Sequence, residues 1–285
     1  MSLAATPRYV LNAALPVLLR PDGAVQVGWD PRRAVLVRPP TGLTAPALAE
    51  LLRALQCGMT MADLYAEAGR HGTADAADLA ELVAALADAG VVTAGPPRGG
   101  RTPSVRIHGR GPLSDLLVAS LRCSSARVGH SRSPKAPPPP DATDLVVLSD
   151  YLVAEPRVVR DLHTARLAHL PVRVRDGSGL VGPLVLPGRT SCLSCADLHR
   201  SDRDAAWPAV AAQLRGTVGS ADRATVLATA ALALDQIHRV LRAVRDTGDA
   251  ASAAEPAVTD TTWEFDVGTR TTVVRRWSRH PRCTC

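Results

Sequence analysis

The chain has 285 residues, 46% of them hydrophobic, which is enough for one large domain or two ordinary ones with a substantial core. No run of eighteen or more uncharged apolar residues occurs, and the N-terminal MSLAATPRYVLNAALPVLL lacks the charged start, apolar centre and small-residue cleavage site of a signal peptide. No membrane partner is therefore expected, and the expected location is cytoplasmic. The net charge of +6 argues only weakly for nucleic acid. Lys135 is the one lysine among 33 basic residues, the charge is spread along the chain, and aromatic residues at 3% leave few rings to stack on bases.

Residues 1–95 read as a small α+β domain. LPVLLR, AVQVGW and AVLVRP are short β-rich runs separated by turn signals at Pro21-Asp22-Gly23 and Asp30-Pro31, predicting a strand meander. Three helices follow. The first spans Pro46 to Gln56, with Leu48, Leu51, Leu52 and Leu55 at helical spacing after a Thr44 cap; the second is MADLYAEAG, capped by Thr60; the third, DLAELVAALADAG, ends at Gly90 before a strand-like VVT. Strands followed by three short helices predict a winged-helix-like module. Residues 96–103, rich in proline and glycine, form a linker.

Residues 104–285 alternate between strand and helix. SVRIHG, ARVGH, DLVVLSD, LPVRVRD and GLVGPLVLPG read as strands, and LSDLLVASLR and PRVVRDLHTARLA as helices, which predicts a Rossmann-like, mostly parallel sheet covered by helices. The low-complexity SPKAPPPPDATD interrupts the pattern. Ala221 to Arg245 forms an amphipathic helix whose stripe of Leu227, Ala230, Leu234, Ile237, Leu241 and Val244 would pack on the sheet or on a second subunit. TWEFDVGTRTTVVRRWSRH reads as a strand pair leading into the last two cysteines.

Six cysteines are too few for a disulfide-stapled scaffold of this length, but four of them form two close pairs: Cys192 with Cys195, and Cys283 with Cys285. Two short-spaced pairs supply the four thiolates of a tetrahedral structural zinc site, and His280 is near enough in sequence to replace one of them. A redox CxxC pair and incidental cysteines are the alternatives. DLHRSDRD reads as a solvated helix face carrying Asp197, His199, Asp202 and Asp204, with His199 close enough to support the metal site from outside.

The second candidate site is RIHGRGPLSD. Here a strand enters Gly109-Arg110-Gly111 and then a helix, as in loops that hold a phosphate on a helix N-terminus. Ser114 stands at the third glycine position, and ARVGH ends in Gly129 and His130 where an acid would hold a ribose. The alternative is a glycine turn required by a tight loop. Asp150 closes DLVVLSD at the carboxyl edge of the sheet, where an acid can meet a ligand. No nucleophile elbow, paired carboxylates or Walker loop is present.

The glycine turn, the buried strand ending in Asp150 and the two cysteine pairs together resemble the ThiF-like, ubiquitin-activating-enzyme-like adenylating family over roughly residues 103–285. PGRTSCLSCADLHRSDRDAAWP is similar to a segment of actinobacterial ThiF-like proteins that partner cyclodehydratases in making thiazole/oxazole-modified peptides. LAELLRAL, GMTMADLYAEAG and LAELVAALADAGVV resemble a PqqD-like peptide-recognition element, which binds a leader peptide by strand addition. The resemblance implies a structural zinc at Cys192, Cys195, Cys283 and Cys285, a nucleotide loop at Gly109 and Gly111, and a magnesium-binding acid at Asp150. The family's ribose acid and its Asn-Arg-Gln segment have no counterpart, and its phosphate-facing lysine has only Lys135, in the proline-rich bridge. The expectation is thus a degenerate relative that keeps the scaffold and the zinc, lacks ATP/Mg-dependent activation, and presents a peptide or protein to a separate modifying enzyme, with a homodimer possible through the long helix. An active adenylating enzyme or cyclodehydratase component, and a winged-helix DNA-binding regulator, are the alternatives.

Overall fold

The computed structural model describes residues 6–72, 75–95, 101–133, 143–250 and 258–285. The chain divides into two compact units, Met1–Gly99 and Gly100–Cys285.

In the first unit, β2 (Val17–Leu19), β3 (Val25–Val27) and β4 (Val35–Val37) form an antiparallel meander where the three apolar runs predict one. A strand without a sequence-level expectation, β1 (Arg8–Leu11), lies between β5 (Met59–Thr60) and β6 (Val92–Gly95) in a second small sheet. Helices α1 (Ala45–Leu55), α2 (Met61–His71) and α3 (Ala76–Asp88) complete the unit. Each starts on a side chain that satisfies an otherwise unpaired amide: Thr44 accepts from Ala47, Thr60 and Asp63 form a reciprocal capping box, and Asp75 accepts from Ala77. Leu48, Leu51, Leu52 and Leu55 of α1 are buried with Leu64, Leu79, Val83 and Leu86 in one apolar core.

The second unit is built on a seven-stranded sheet comprising β7 (Ser104–His108), β8 (Arg127–Ser131), β9 (Leu145–Ser149), β10 (Ala168–Arg175), β11 (Ser178–Val181), β12 (Thr261–Asp266) and β13 (Thr271–Arg276), in the order β13-β12-β11-β10-β9-β7-β8. The expected parallel sheet is present as one half of a mixed sheet. Strands β8, β7, β9 and β10 run parallel, whereas β10 to β13 pair antiparallel. The reason is local: Asp176-Gly177 turns β10 straight back into β11, with both residues at positive φ, so no helical crossover intervenes. GLVGPLVLPG is likewise strand only through Val181; Pro183 has no N–H to give a ladder, and Leu184 and Val185 make only isolated bridges.

Helices α4 (Pro112–Leu121), α5 (Pro156–Thr164), α6 (Leu193–Arg203), α7 (Trp207–Leu214) and α8 (Arg223–Thr247) belong to this unit. Strands β9 and β10 of its parallel half are buried on both faces, whereas the edge strand β8 is exposed or half-buried over most of its length. Val105, Ile107, Leu145, Val147, Leu170 and Val172 meet α4 and α8, while Val146 and Leu148 meet α5 and the start of α6. Asp222 caps α8, and Gly248 ends it in the left-handed conformation at φ 79°. The predicted stripe of α8 holds at Ala230, Ile237, Leu241 and Val244, which are buried together with Val226, Ala233 and Val240, whereas Leu227 is 46% exposed. The stripe lies in the core that covers the unit's own sheet. The proline-rich bridge with Lys135 falls largely outside the described residues, as do linker residues 96–100.

Candidate metal centre and glycine turn

Residues 190 and 191 are buried, and Cys192 follows them as the N-cap of α6, its Sγ accepting from the Cys195 amide at 3.4 Å. One turn of helix then places Cys195 beside it. The tail after β13 returns to this helix end, and the four Sγ atoms converge: Cys192 to Cys195 at 3.7 Å, Cys192 to Cys283 at 3.6 Å and Cys195 to Cys285 at 3.4 Å. All four lie within 4.8 Å of one another. A tetrahedral zinc with bonds of about 2.3 Å needs sulfur pairs about 3.8 Å apart, so the residues present fit a metal ion.

The electrostatics agree. Burial pushes the thiols of Cys192 and Cys285 up, Cys285 to about 11. Burial also acts on Cys195, but hydrogen bonds from the backbone of Cys192 and His280 outweigh it and hold that thiol at about 7. Four clustered thiolates repel one another, and a divalent cation is what lets all of them ionise together.

The charge run of α6 proves to be partnered. His280 is 5% exposed; one ring nitrogen accepts from the Arg282 amide and the other bonds Asp202 at 2.7 Å, so both are engaged away from the sulfur cluster. Arg282 also pairs with Asp202. The His199 ring bonds the Ser278 carbonyl at 3.0 Å and packs edge-on against His280 at 4.7 Å. His199, Asp202 and His280 are near enough to share a metal ion, but the guanidinium on Asp202 already supplies the cation there. Arg279 reaches the Gly188 carbonyl, and Asp260 accepts from the Ser191 amide at 2.6 Å. Asp197 binds Arg200 at 2.8 Å, and Asp204 accepts from the Ala206 amide. The tail is thus latched onto the α6 region by polar contacts as well as by the cysteines. Partners about 80 residues apart carry no spacing signal, which is why sequence alone does not reveal the Asp202–His280 pair.

The glycine turn shows different chemistry. Gly111 is the N-cap of α4. Asp150 is 1% exposed and stands at φ 69°, and its two carboxylate oxygens accept from the amides of Leu113 at 2.9 Å and Ser114 at 3.0 Å. These N–H groups, with the positive end of the helix dipole, are what a bound phosphate would otherwise engage. The glycines fit this packing: a Cβ on Gly109 would lie 2.4 Å from the Ser149 carbonyl oxygen, and one on Gly111 would lie 2.7 Å from the Asp150 carboxylate. The Ser114 hydroxyl closes the turn on both the amide and the carbonyl of Gly111, and His130 bonds the Gly109 carbonyl at 3.0 Å.

No family model matches the sequence, and no curated protein does. Solved structures do match. A heterocyclase in complex with substrate and cofactor aligns at TM-score 0.64 and 16% identity over 98% of this chain and 39% of its own; the heterocyclase TruD aligns at 0.64 and 16% over 98% of this chain and 42% of its own. The chain therefore spans about two fifths of the length of those heterocyclases. MccB of E. coli, solved with ATP, aligns at 0.55 and 12% over 97% of this chain and 99% of its own. The chain shares the fold of these heterocyclases and of MccB, the microcin C7 biosynthetic enzyme.

Proposed function

We propose that this chain is a zinc-stabilised, ThiF-like scaffold that binds a peptide and presents it to a separate modifying enzyme, without activating the peptide by ATP itself. The observation that carries the reading is Asp150, whose carboxylate takes the two helix-terminal amides on which a nucleotide phosphate would rest. Phosphoryl chemistry depends on positioned cations and amide donors, and a fixed anion in that position opposes it. The peptide half of the reading draws on the shared fold with heterocyclases and on the first unit. There β2 and β4 are the edges of the meander, with Leu18 and Leu36 exposed, and an edge strand is what strand addition to a winged-helix-like, PqqD-like module uses. Cys192, Cys195, Cys283 and Cys285 would hold the zinc, which supplies no chemistry beyond tying the tail to α6. The homodimer expected through α8 would need a surface other than its apolar stripe, which the sheet covers.

The test is calorimetry of the full chain with ATP and magnesium, pyrophosphate-exchange assays, and titration with the leader segment of any precursor peptide found encoded near it. Leader binding without nucleotide binding or exchange is expected. Micromolar ATP affinity accompanied by exchange would establish the adenylating alternative and overturn the scaffold reading. Salt-dependent DNA affinity in place of leader binding would support the regulator.

A further inference from the structure

A cavity of about 650 Å³ opens in the second unit between the segment after β9, strand β10 and helices α6 and α7. It lies within the size range of ligand sites. Its lining is unbalanced in charge: Arg160, Arg173, Arg175, Arg200, Arg203 and Arg215 face three aspartates.

The aspartates are largely committed. Asp197 pairs with Arg200, and Asp176 lies 3.6 Å from Arg175, which also binds Glu264. Among the described residues, Arg160, Arg173, Arg203 and Arg215 form no ion pair. Arg173 has only the Leu152 carbonyl at 3.1 Å, and burial together with repulsion from Arg200 and Arg175 draws its pKa down to about 10. Arg200 is fixed between the rings of Trp207 and Trp277, at 5.2 and 5.1 Å, so it cannot swing away from this repulsion. Like charges held around one cavity are relieved when an anion enters. The remaining wall is apolar, with Leu152, Val159, Leu193, Trp207 and Leu214 between the arginines.

We propose that this cavity binds an acidic peptide segment, its carboxylates taken by Arg160, Arg173, Arg203 and Arg215 and its apolar side chains by the wall between them. Planar guanidinium groups suit carboxylates because they donate paired hydrogen bonds. A peptide, unlike a compact oxyanion, also uses the apolar wall. The metal centre contributes indirectly, since Cys192 and Cys195 anchor the first turn of α6, which carries Leu193, Arg200 and Arg203. The inference rests on reading the chain as a peptide binder.

The probe is a decapeptide of alternating glutamate and leucine, titrated into the full chain at low and high salt beside its glutamine-leucine counterpart and pyrophosphate. Arg160 and Arg203 are exposed at the rim, so Arg160→Gln with Arg203→Gln is expected to leave the melting profile unchanged. The acidic peptide is expected to bind in a salt-sensitive way, and both the neutral peptide and the double variant are expected to lower affinity about tenfold or more. Equal affinity for the two peptides, or an unchanged double variant, overturns the inference. Tighter binding of pyrophosphate than of the acidic peptide overturns it in favour of a phosphate site. A chain that binds the precursor leader but not the acidic decapeptide loses only this inference, whereas one that binds neither loses the peptide-binding reading as well.

Discussion

The Asp150 carboxylate is bound to the Leu113 amide at 2.9 Å, joining the end of β9 to the first turn of α4. It serves as the helix cap that Gly111, lacking a side chain, cannot provide. Asp150→Ala leaves two buried amides without acceptors and places a Cβ-bearing residue without a local hydrogen bond at φ 69°, so it should lower stability by about 2–4 kcal/mol. Asp150→Asn, which tolerates the left-handed conformation and keeps one acceptor, should lose roughly half of that. Urea unfolding of the two variants checks the order. Equal stability of Asp150→Ala and the wild type would remove the capping role.

The four sulfur atoms predict a stoichiometry and a consequence. The purified chain should carry one zinc per molecule, and chelation should release the tail from α6 and lower the unfolding free energy by roughly several kcal/mol. Cys283→Ser with Cys285→Ser should abolish metal retention while leaving the first unit's core intact, because none of that core's residues comes from beyond Gly99. Metal analysis with hydrogen exchange resolved along the chain checks both statements. A zinc content far below one per chain would refute the metal centre.

The capping box at the start of α2 gives a test confined to the first unit. Thr60 Oγ1 accepts from the Asp63 amide at 3.1 Å, and the Asp63 carboxylate accepts from the Thr60 amide at 3.0 Å. Hydrogen bonds from Thr60 hold the Asp63 carboxyl below its usual value. Thr60→Ala should cost about 1 kcal/mol, seen as a lower thermal midpoint for this unit, while metal content is unchanged. A loss of zinc in this variant would mean that the two units are energetically coupled.

Local signals made much of this molecule legible in the sequence. Periodic leucines with Thr44 and Thr60 caps predict α1 and α2, and paired cysteines predict a sulfur cluster that the fold does assemble. Non-local pairing hid the rest. RYVL has no alternation of its own and becomes β1 only because β5 and β6 flank it. The expected α8 stripe holds at Ala230, Ile237, Leu241 and Val244 and misses Val226, Ala233 and Val240, since alanine and valine bury as well as leucine does. The glycine turn carries an ambiguous signal: close approach to a phosphate and close approach to Asp150 demand the same absence of Cβ, and the fold brings Asp150 against Gly111.

His169 on β10 makes the last prediction, one of pH dependence. Its side chain is fully buried, with one ring nitrogen bonded to the Leu167 carbonyl at 3.0 Å and the other without a partner, 5.5 Å between its ring and that of His163. Burial lowers its pKa from 6.5 to about 4, and the charge of His163 adds to the effect against the opposing Leu167 bond. The unfolded chain therefore binds this proton between about pH 6.5 and 4 while the folded chain does not. The associated stability is fully present above pH 6.5, falls as pH drops through that window, and is spent below about pH 4. The loss is on the order of 3 kcal/mol. His169→Leu removes the titrating group, and its unfolding free energy should fall less steeply than that of the wild type across that window. Urea midpoints at half-unit pH steps measure this difference, and parallel profiles for the two proteins would show that His169 does not remain neutral in the fold.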